Sequence, residues 1–320
     1  MRSPVQLVRR KRRAAMVTFL VVAVVVLSAC DLSPGSQVRR ADVDVFDYEK
    51  VPFDRVEIPG GLRVGVFEQV EVIFASPSGG LATGRLHKPL APKPWPGVIL
   101  LHGSGGHARD MDPVAEILAC SGILALAVDA PNAGRGSSFV SFTAEDYKDQ
   151  VRLIKDLRRS VDSLVDEYGA DPNQIGFLGV SYGAAMGSLF IGVDPRVDAA
   201  ALMVGDGGLV AHFTEDDEPI PEVADVPGIE DWIVRMAPIE PLLFLRDAAP
   251  TPVSMVSARR DREVEAEDSM AWHEAAGAGS EVVWVDTGHE LDHTVWSDAI
   301  MWLGRNLGQQ PELLSECATG

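Results

Sequence analysis

Ile175–Gly187, "IGFLGVSYGAAMG", sets an apolar run against a run of small residues and lodges one serine, Ser181, between two glycines. The first half reads as a buried strand, because a short continuous apolar run bounded by turn residues has the length of a strand and not of a helix. The second half reads as a helix. Gly179-Val180-Ser181-Tyr182-Gly183 is therefore Gly-x-Ser-x-Gly at a strand-to-helix junction. Such a turn is so tight that strand and helix nearly touch, and only glycine-sized residues fit beside the serine. The hydroxyl then projects above the sheet at the positive end of the following helix. As a bare pentapeptide the pattern is common; its place between strand and helix makes Ser181 a candidate nucleophile instead of a turn serine.

Working outward, the chain alternates apolar strands with amphipathic helices. "GVILLHG" precedes a helix over "DMDPVAEILACSG", and "ILALAVDAP" follows as a strand. In "TAEDYKDQVRLIKDLRRSVDSLVDEYG", Tyr147, Val151, Ile154, Leu157, Val161 and Leu164 recur at steps of three and four, which predicts one helix with a buried stripe. Beyond the serine come "VDAAALMVGDG" and "TPVSMVSA" as strands, "EAEDSMAWHEAAG" as a helix, "EVVWVDTG" as a strand and "TVWSDAIMWLGRNL" as a helix. This order predicts an α/β fold, a mostly parallel central sheet with helices on both faces. Upstream, "FDRVEI", "RVGVFEQVEVIFAS" and "LATGRLHKP" are β-rich and separated by Gly and Pro, which suggests an antiparallel entry with Pro59-Gly60-Gly61 as a separator. Residues 207–249 interrupt the alternation with prolines and acids. That insertion is long for a simple connection, and reads either as a lid over the site or as a solvated excursion with a packed helix or two around "IEDWIVRM".

A serine hydroxyl needs a base to take its proton. His289, in "VDTGHELDH", follows the last strand and so stands at the same sheet edge as Ser181; His293, four residues on, is its rival if that loop curls into a helix. His102 belongs to a glycine-rich motif, while His87, His107, His212 and His273 sit where an exposed or packed histidine is the ordinary reading. The base needs a carboxylate to orient it. Asp261, just past the strand "TPVSMVSA", gives the chain order Ser181, Asp261, His289. Asp206, after another strand, is the runner-up and Glu263 the third candidate; each also suits a helix cap. For the oxyanion of acyl transfer, backbone N–H groups must point where charge develops. "LLHGSGGHA" supplies a glycine-rich turn after a buried strand, with the N–H of Ser104 or Gly105 and that of Tyr182 as donors. A phosphate cradle is the other reading of those glycines, but no Lys-Ser/Thr follows them.

Taken together, "LLHGSGG", "DAPNAGRGSS", "GFLGVSYG", "SARRDREV" and "TGHELDH" resemble the α/β-hydrolase superfamily in its dienelactone-hydrolase-like branch, from about Val70 to Leu307. The resemblance implies an α/β-hydrolase fold with a small cap, a Ser-His-Asp triad, no metal and no organic cofactor, and hydrolysis of an ester or related acyl bond in a small-molecule substrate. This chain departs from the pattern at one position: dienelactone hydrolases proper use a cysteine nucleophile, and here stands Ser181, which favours an esterase. An acyl thioesterase or a peptidase of the same fold shares the machinery. A non-catalytic surface lipoprotein that uses the fold for binding is the reading of another class. Arg135, in the loop "APNAGRGSSFVSF", is either solvated or a contact for an anionic substrate.

The remaining signals concern location. "MRSPVQLVRRKRR" carries six basic residues and no acid, and an uncharged apolar run leads to Leu27-Ser28-Ala29-Cys30. A basic segment, an apolar segment and small residues before a boundary describe a secretory signal over residues 1–29, and the boundary resembles a bacterial lipobox. Cys30 is then the lipidated residue, residues 30–50 a tether, 51–320 the folded domain, and the product an exported protein of the bacterial cell envelope anchored to the membrane. An uncleaved anchor and ordinary signal cleavage are the alternatives. Of 320 residues 46% are hydrophobic, enough for a large core, and the formal charge is −19; loss of the six basic residues of the signal takes it to −25. So acidic a protein repels nucleic acid. Cys120, on an apolar helix face, reads as a small buried hydrophobe, while export permits its pairing with Cys317.

Overall fold

The computed structural model describes residues 39–50, 55–136, 140–215, 218–277 and 279–319. The expected signal and Cys30 lie outside the described residues. Among those described, the strands are β1 (Arg55–Val64), β2 (Phe67–Ala75), β3 (Leu81–Pro89), β4 (Trp95–Leu101), β5 (Leu124–Val128), β6 (Ala170–Val180), β7 (Ala199–Met203), β8 (Thr214–Glu215), β9 (Glu218–Pro219), β10 (Val253–Ala258) and β11 (Ser280–Val285). All but β8 and β9 form one sheet in the order β1-β2-β3-β5-β4-β6-β7-β10-β11. β1, β2 and β3 are antiparallel and β3 runs antiparallel to β5; from β5 to β11 every neighbouring pair is parallel. The expected mostly parallel sheet with an antiparallel entry is what forms.

Side-chain alternation explains why this sheet needs cover on both faces. Ile99, Leu101, Leu126, Phe177 and Leu202 enter one core, while their neighbours Val98, Leu100, Ala127, Leu178 and Met203 enter another. A strand buried on both faces reads as a continuous apolar run, and β4, β5, β7 and β10 are buried at every position. The covering helices are α1 (Asp112–Cys120), α2 (Ala144–Asp162), α3 (Tyr182–Val193), α4 (Ile229–Met236), α5 (Leu242–Leu245), α6 (Ala266–Ala275), α7 (His293–Asn306) and α8 (Pro311–Thr319). α2 and α3 supply Leu153, Leu157, Met186 and Leu189 to the first core; α1, α7 and α8 supply Leu118, Leu303 and Leu314 to the second.

Three features differ from the sequence expectation. β1 runs through Pro59-Gly60-Gly61 with a shift of register between Pro59 and Arg63, and the hairpin turns at Gly65-Val66 instead. An irregular edge strand tolerates proline because its outer side needs no ladder donor. The single helix expected over residues 143–169 changes its bonding near the end: α2 is followed by a π-helical turn, Ser163–Tyr168, closed by Gly169 at φ 80°. Cys120 is bonded to Cys317 with a Cα–Cα separation of 5.8 Å, so it is a partner and not an inert apolar residue. That bond ties α8, which has no signal in the sequence beyond Pro311, to the end of α1.

The insertion is packed. α4 buries Ile229, Trp232 and Met236, and the Trp232 indole N–H donates to Asp146 at 2.8 Å. Asp146 also closes the capping box of α2 with Thr143, so one buried carboxylate serves both elements. Phe142, Phe213 and Trp232 meet edge to face at 5.0–5.7 Å. Residues 39–50, which the sequence assigns to the tether, lie against the same corner. Phe46 is fully buried beside Phe244, and the Arg40 guanidinium lies 4.8 Å above the Phe244 ring and pairs with Asp247.

Candidate active site

Ser181 stands between β6 and α3, as the cap of the helix. Its backbone is left-handed in φ, at φ 55° and ψ −122°, a conformation that costs a residue with a Cβ about 1–3 kcal/mol and persists only where the surroundings enforce it. Here they do: Ser181 N–H donates to Met203 O at 2.8 Å, and Ser181 O accepts from Ala184 and Ala185 N–H at 2.8 and 3.0 Å. The flanking glycines are required by contact. A Cβ on Gly179 would stand 2.2 Å from Gly183 O, and one on Gly183 would stand 2.3 Å from Leu101 O.

Two loops bring the partners. After β10 and β11, Arg259 N–H donates to Val285 O and Arg260 N–H to Thr287 O, at 2.8 and 3.0 Å, which zips the two loops side by side. Asp261 and His289 face each other as a result. His289 Nδ1 lies 2.9 and 3.1 Å from the two carboxylate oxygens of Asp261, and His289 Nε2 lies 2.9 Å from Ser181 Oγ. A carboxylate only accepts, so Nδ1–H donates to Asp261 and leaves the Nε2 lone pair for the serine O–H. Asp261 is nearly buried, at 4% side-chain exposure, and also accepts from Glu263 and Val264 N–H at 2.9 and 3.1 Å.

The rivals make other contacts. Glu263 lies 3.6 Å from His289 Nε2 with its carboxylate largely in solvent. His293 is the first residue of α7 and lines a separate groove against α1. Arg135 pairs with Asp149 at 3.1 Å. His102 stays inside the fold: its Nε2 accepts from Ala130 N–H at 3.1 Å, so its Nδ1–H donates to Gly103 O at 2.7 Å, and burial holds its pKa down. The ring fixes the turn that follows it. Gly103 passes over the serine, where a Cβ would come 3.5 Å from Ser181 Cβ, and Ser104 lines the same cavity as Ser181, Tyr182 and His289. Gly105, at φ 61°, presses on Gly136 so closely that a Cβ would stand 2.2 Å from its carbonyl oxygen. Tyr182 occupies the first turn of α3, whose N–H groups have no acceptor within the helix.

In the sequence His212 reads as an ordinary exposed or packed histidine, and Asp206 as the runner-up to Asp261 or a helix cap. The structure joins them to each other, with His212 Nδ1 2.9 Å from Asp206 Oδ2, and both line the cavity of about 360 Å³ that holds Ser181 and His289. Asp206 raises the pKa of His212 above its ordinary value, chiefly through that hydrogen bond. The available signal was weak: a histidine six residues after an acid, at the mouth of an irregular insertion.

A model of the dienelactone hydrolase family matches residues 82–283. A search of curated proteins finds no match. Solved structures of similar fold include acetyl xylan esterase 1 from Thermoanaerobacterium sp., at TM-score 0.67 and 13% identity over 85% of this chain and 96% of that one. Acetyl xylan esterase from Paenibacillus sp. is similar at TM-score 0.67 and 15% identity, over 80% of this chain and 89% of the other. A putative dienelactone hydrolase from Klebsiella pneumoniae is similar at TM-score 0.55 and 16% identity, over 76% and 99%. At such identities the likeness speaks for the fold. Because the family model matches more than half of this chain, the chain belongs to the dienelactone hydrolase family and is an ester-bond hydrolase of α/β-hydrolase fold.

Proposed function

We propose that the chain is a serine esterase that works through a Ser181–His289–Asp261 triad and an acyl-enzyme. The observation that carries this reading is the position of His289, within hydrogen-bond distance of Ser181 Oγ on one side and of Asp261 on the other. His289, oriented by Asp261, takes the Ser181 proton as the oxygen attacks the acyl carbon. The backbone N–H groups of Ser104 and Tyr182 receive the oxyanion, at a turn held by His102 and at a helix N-terminus. His289 then gives the proton to the leaving alcohol, and water repeats the sequence to release the acid. The serine nucleophile favours ester over dienelactone substrates. The apolar walls of the cavity, among them Ala185, Val204 and Leu209, suit a short acyl group, in keeping with the acetyl xylan esterases of like fold.

A fluorophosphonate probe tests the nucleophile. Labelling of the native chain that disappears in Ser181→Ala is the expected result; labelling that persists overturns the proposal. We also assign the enzyme to the cell envelope, anchored by a lipid on Cys30, on the strength of the basic and apolar segments before Leu27-Ser28-Ala29-Cys30. Cys30→Ser is expected to move the protein from the detergent phase to the aqueous phase on cloud-point partition, and unchanged partition overturns the anchor.

A further inference from the structure

We propose that the Asp206–His212 pair selects the substrate, and that the substrate is an uncharged ester whose alcohol portion carries a free hydroxyl, as in an acylated polyol or sugar, with that hydroxyl bonded to His212 Nε2. The inference rests on the esterase reading above and names the substrate class of that site.

The pair is built with care for one imidazole. Asp206 is buried, accepts Gly208 N–H at 3.0 Å through Oδ1, and holds His212 Nδ1 through Oδ2 at 2.9 Å. The backbone that carries His212 is clamped by a second buried carboxylate: Glu240 accepts the N–H groups of Leu209, Val210 and Ala211 at 2.9–3.1 Å. Burying a carboxylate costs several kcal/mol unless its lone pairs are satisfied, and here one is satisfied by the ring and Gly208 N–H and the other by the turn that carries the ring. Neither carboxylate touches Ser181 or His289 by hydrogen bond, so the nucleophile does not explain them. Among the described residues no group meets His212 Nε2, and the ring lines the cavity.

The chemistry of the ring narrows the ligand. With Nδ1–H committed to Asp206, Nε2 accepts when the imidazole is neutral and donates when it is protonated. A hydroxyl satisfies both states, because it donates and accepts; a methylene satisfies neither, and a carboxylate only the second. Charge removes the carboxylate as well. Among the described residues, no lysine or arginine lines this cavity or the adjoining mouth, whereas Asp206 and Glu263 line the first and Asp110, Glu263 and Glu290 the second. The nearest candidate for an anion contact, Arg135, is engaged by Asp149.

Position assigns the hydroxyl to the alcohol portion. His289 must reach the leaving oxygen to protonate it, so the alcohol lies on the His289 side of Ser181. Glu263 marks that side, 3.6 Å from His289 Nε2, and lines the same cavity as His212. His212 shares that cavity with Glu263 and His289 and is assigned to the departing group.

The test compares a monoacetylated methyl xyloside with cyclohexyl acetate, the same ring size without hydroxyls. The native chain is expected to give the higher kcat/KM with the xyloside. In His212→Ala the ratio of the two is expected to fall roughly tenfold, carried by KM for the xyloside, and His212→Gln, which keeps a donor and an acceptor, is expected to restore part of it. Asp206→Asn gives the same direction and serves if His212→Ala does not fold. Equal kcat/KM for both esters in the native chain, or a ratio unmoved by His212→Ala and Asp206→Asn, overturns the inference while leaving the esterase standing. Faster cleavage of a hemisuccinate than of the matching acetate also overturns it. Failure of the native chain to cleave either ester or to take the fluorophosphonate label defeats the esterase reading itself, and this inference with it.

Discussion

Two aspartate–histidine pairs border one cavity, and the contrast between them lies in what each imidazole meets on its far side. His289 and His212 each give Nδ1 to a buried carboxylate at 2.9 Å. His289 then meets Ser181, on a strained turn at the end of a buried strand, while His212 meets open cavity. The two also differ in what holds them. The first pair hangs from adjacent parallel strands through loops zipped backbone to backbone; the second joins Asp206, just past β7, to His212 in the insertion, whose backbone is held by Glu240 from another turn of that insertion. Equal hydrogen-bond chemistry thus carries two different proposed roles, a proton relay at the sheet edge and a contact for substrate beside it.

The largest effect that would break this contrast is at the serine. Ser181→Ala is expected to lower kcat by about 10⁴-fold or more on every ester, since loss of one member of such a triad removes the whole relay. Next, Asp261→Asn is expected to cost about 10³- to 10⁴-fold in kcat through the wrong tautomer of His289, whereas Asp206→Asn costs little more than the selectivity it supplies. Steady-state kinetics of the two side by side decide it; equal losses would make the pairs equivalent and defeat the assignment. Glu240→Ala leaves three N–H groups without their acceptor and is expected to cost about 2–4 kcal/mol, read from urea unfolding, with the xyloside preference lost in the folded fraction.

The smallest effect is on pH. Asp206, with Asp268 and Glu263 behind it, raises the folded pKa of His212 above its unfolded value. Its contribution to stability is therefore fully present below the unfolded value, about 6.5, and is lost as pH rises through the folded one. The Tm difference between the native chain and His212→Gln is expected to be largest near pH 5 and to shrink toward pH 9. A difference that grows with pH would show the opposite sign of coupling.

Much of this was legible in the sequence, for definite reasons. The parallel sheet announces itself because its strands are buried on both faces and so are written as unbroken apolar runs such as "GVILL". Ser181 is legible because the elbow forbids side chains at Gly179 and Gly183, and a steric ban leaves a mark in sequence. Asp261 and His289 follow from position after consecutive strands of one sheet edge. What stayed hidden depends on distant parts of the chain. Nothing local tells that Cys317 returns to Cys120 across 197 residues, or that Glu240 comes back to cap Leu209. His212 was passed over because its partner was already a candidate for another histidine. The Pro59-Gly60-Gly61 separator failed because an edge strand forgives what a central strand does not.

The Cys120–Cys317 bond makes the polypeptide a loop closed near its own tail, with the last helix unable to peel from the first. Material produced in a reducing cytosol carries two thiols in its place, and its terminal turn is held by packing alone. Preparations from the two compartments are therefore chemically different molecules, and comparing their heat resistance reports how much the cross-link contributes.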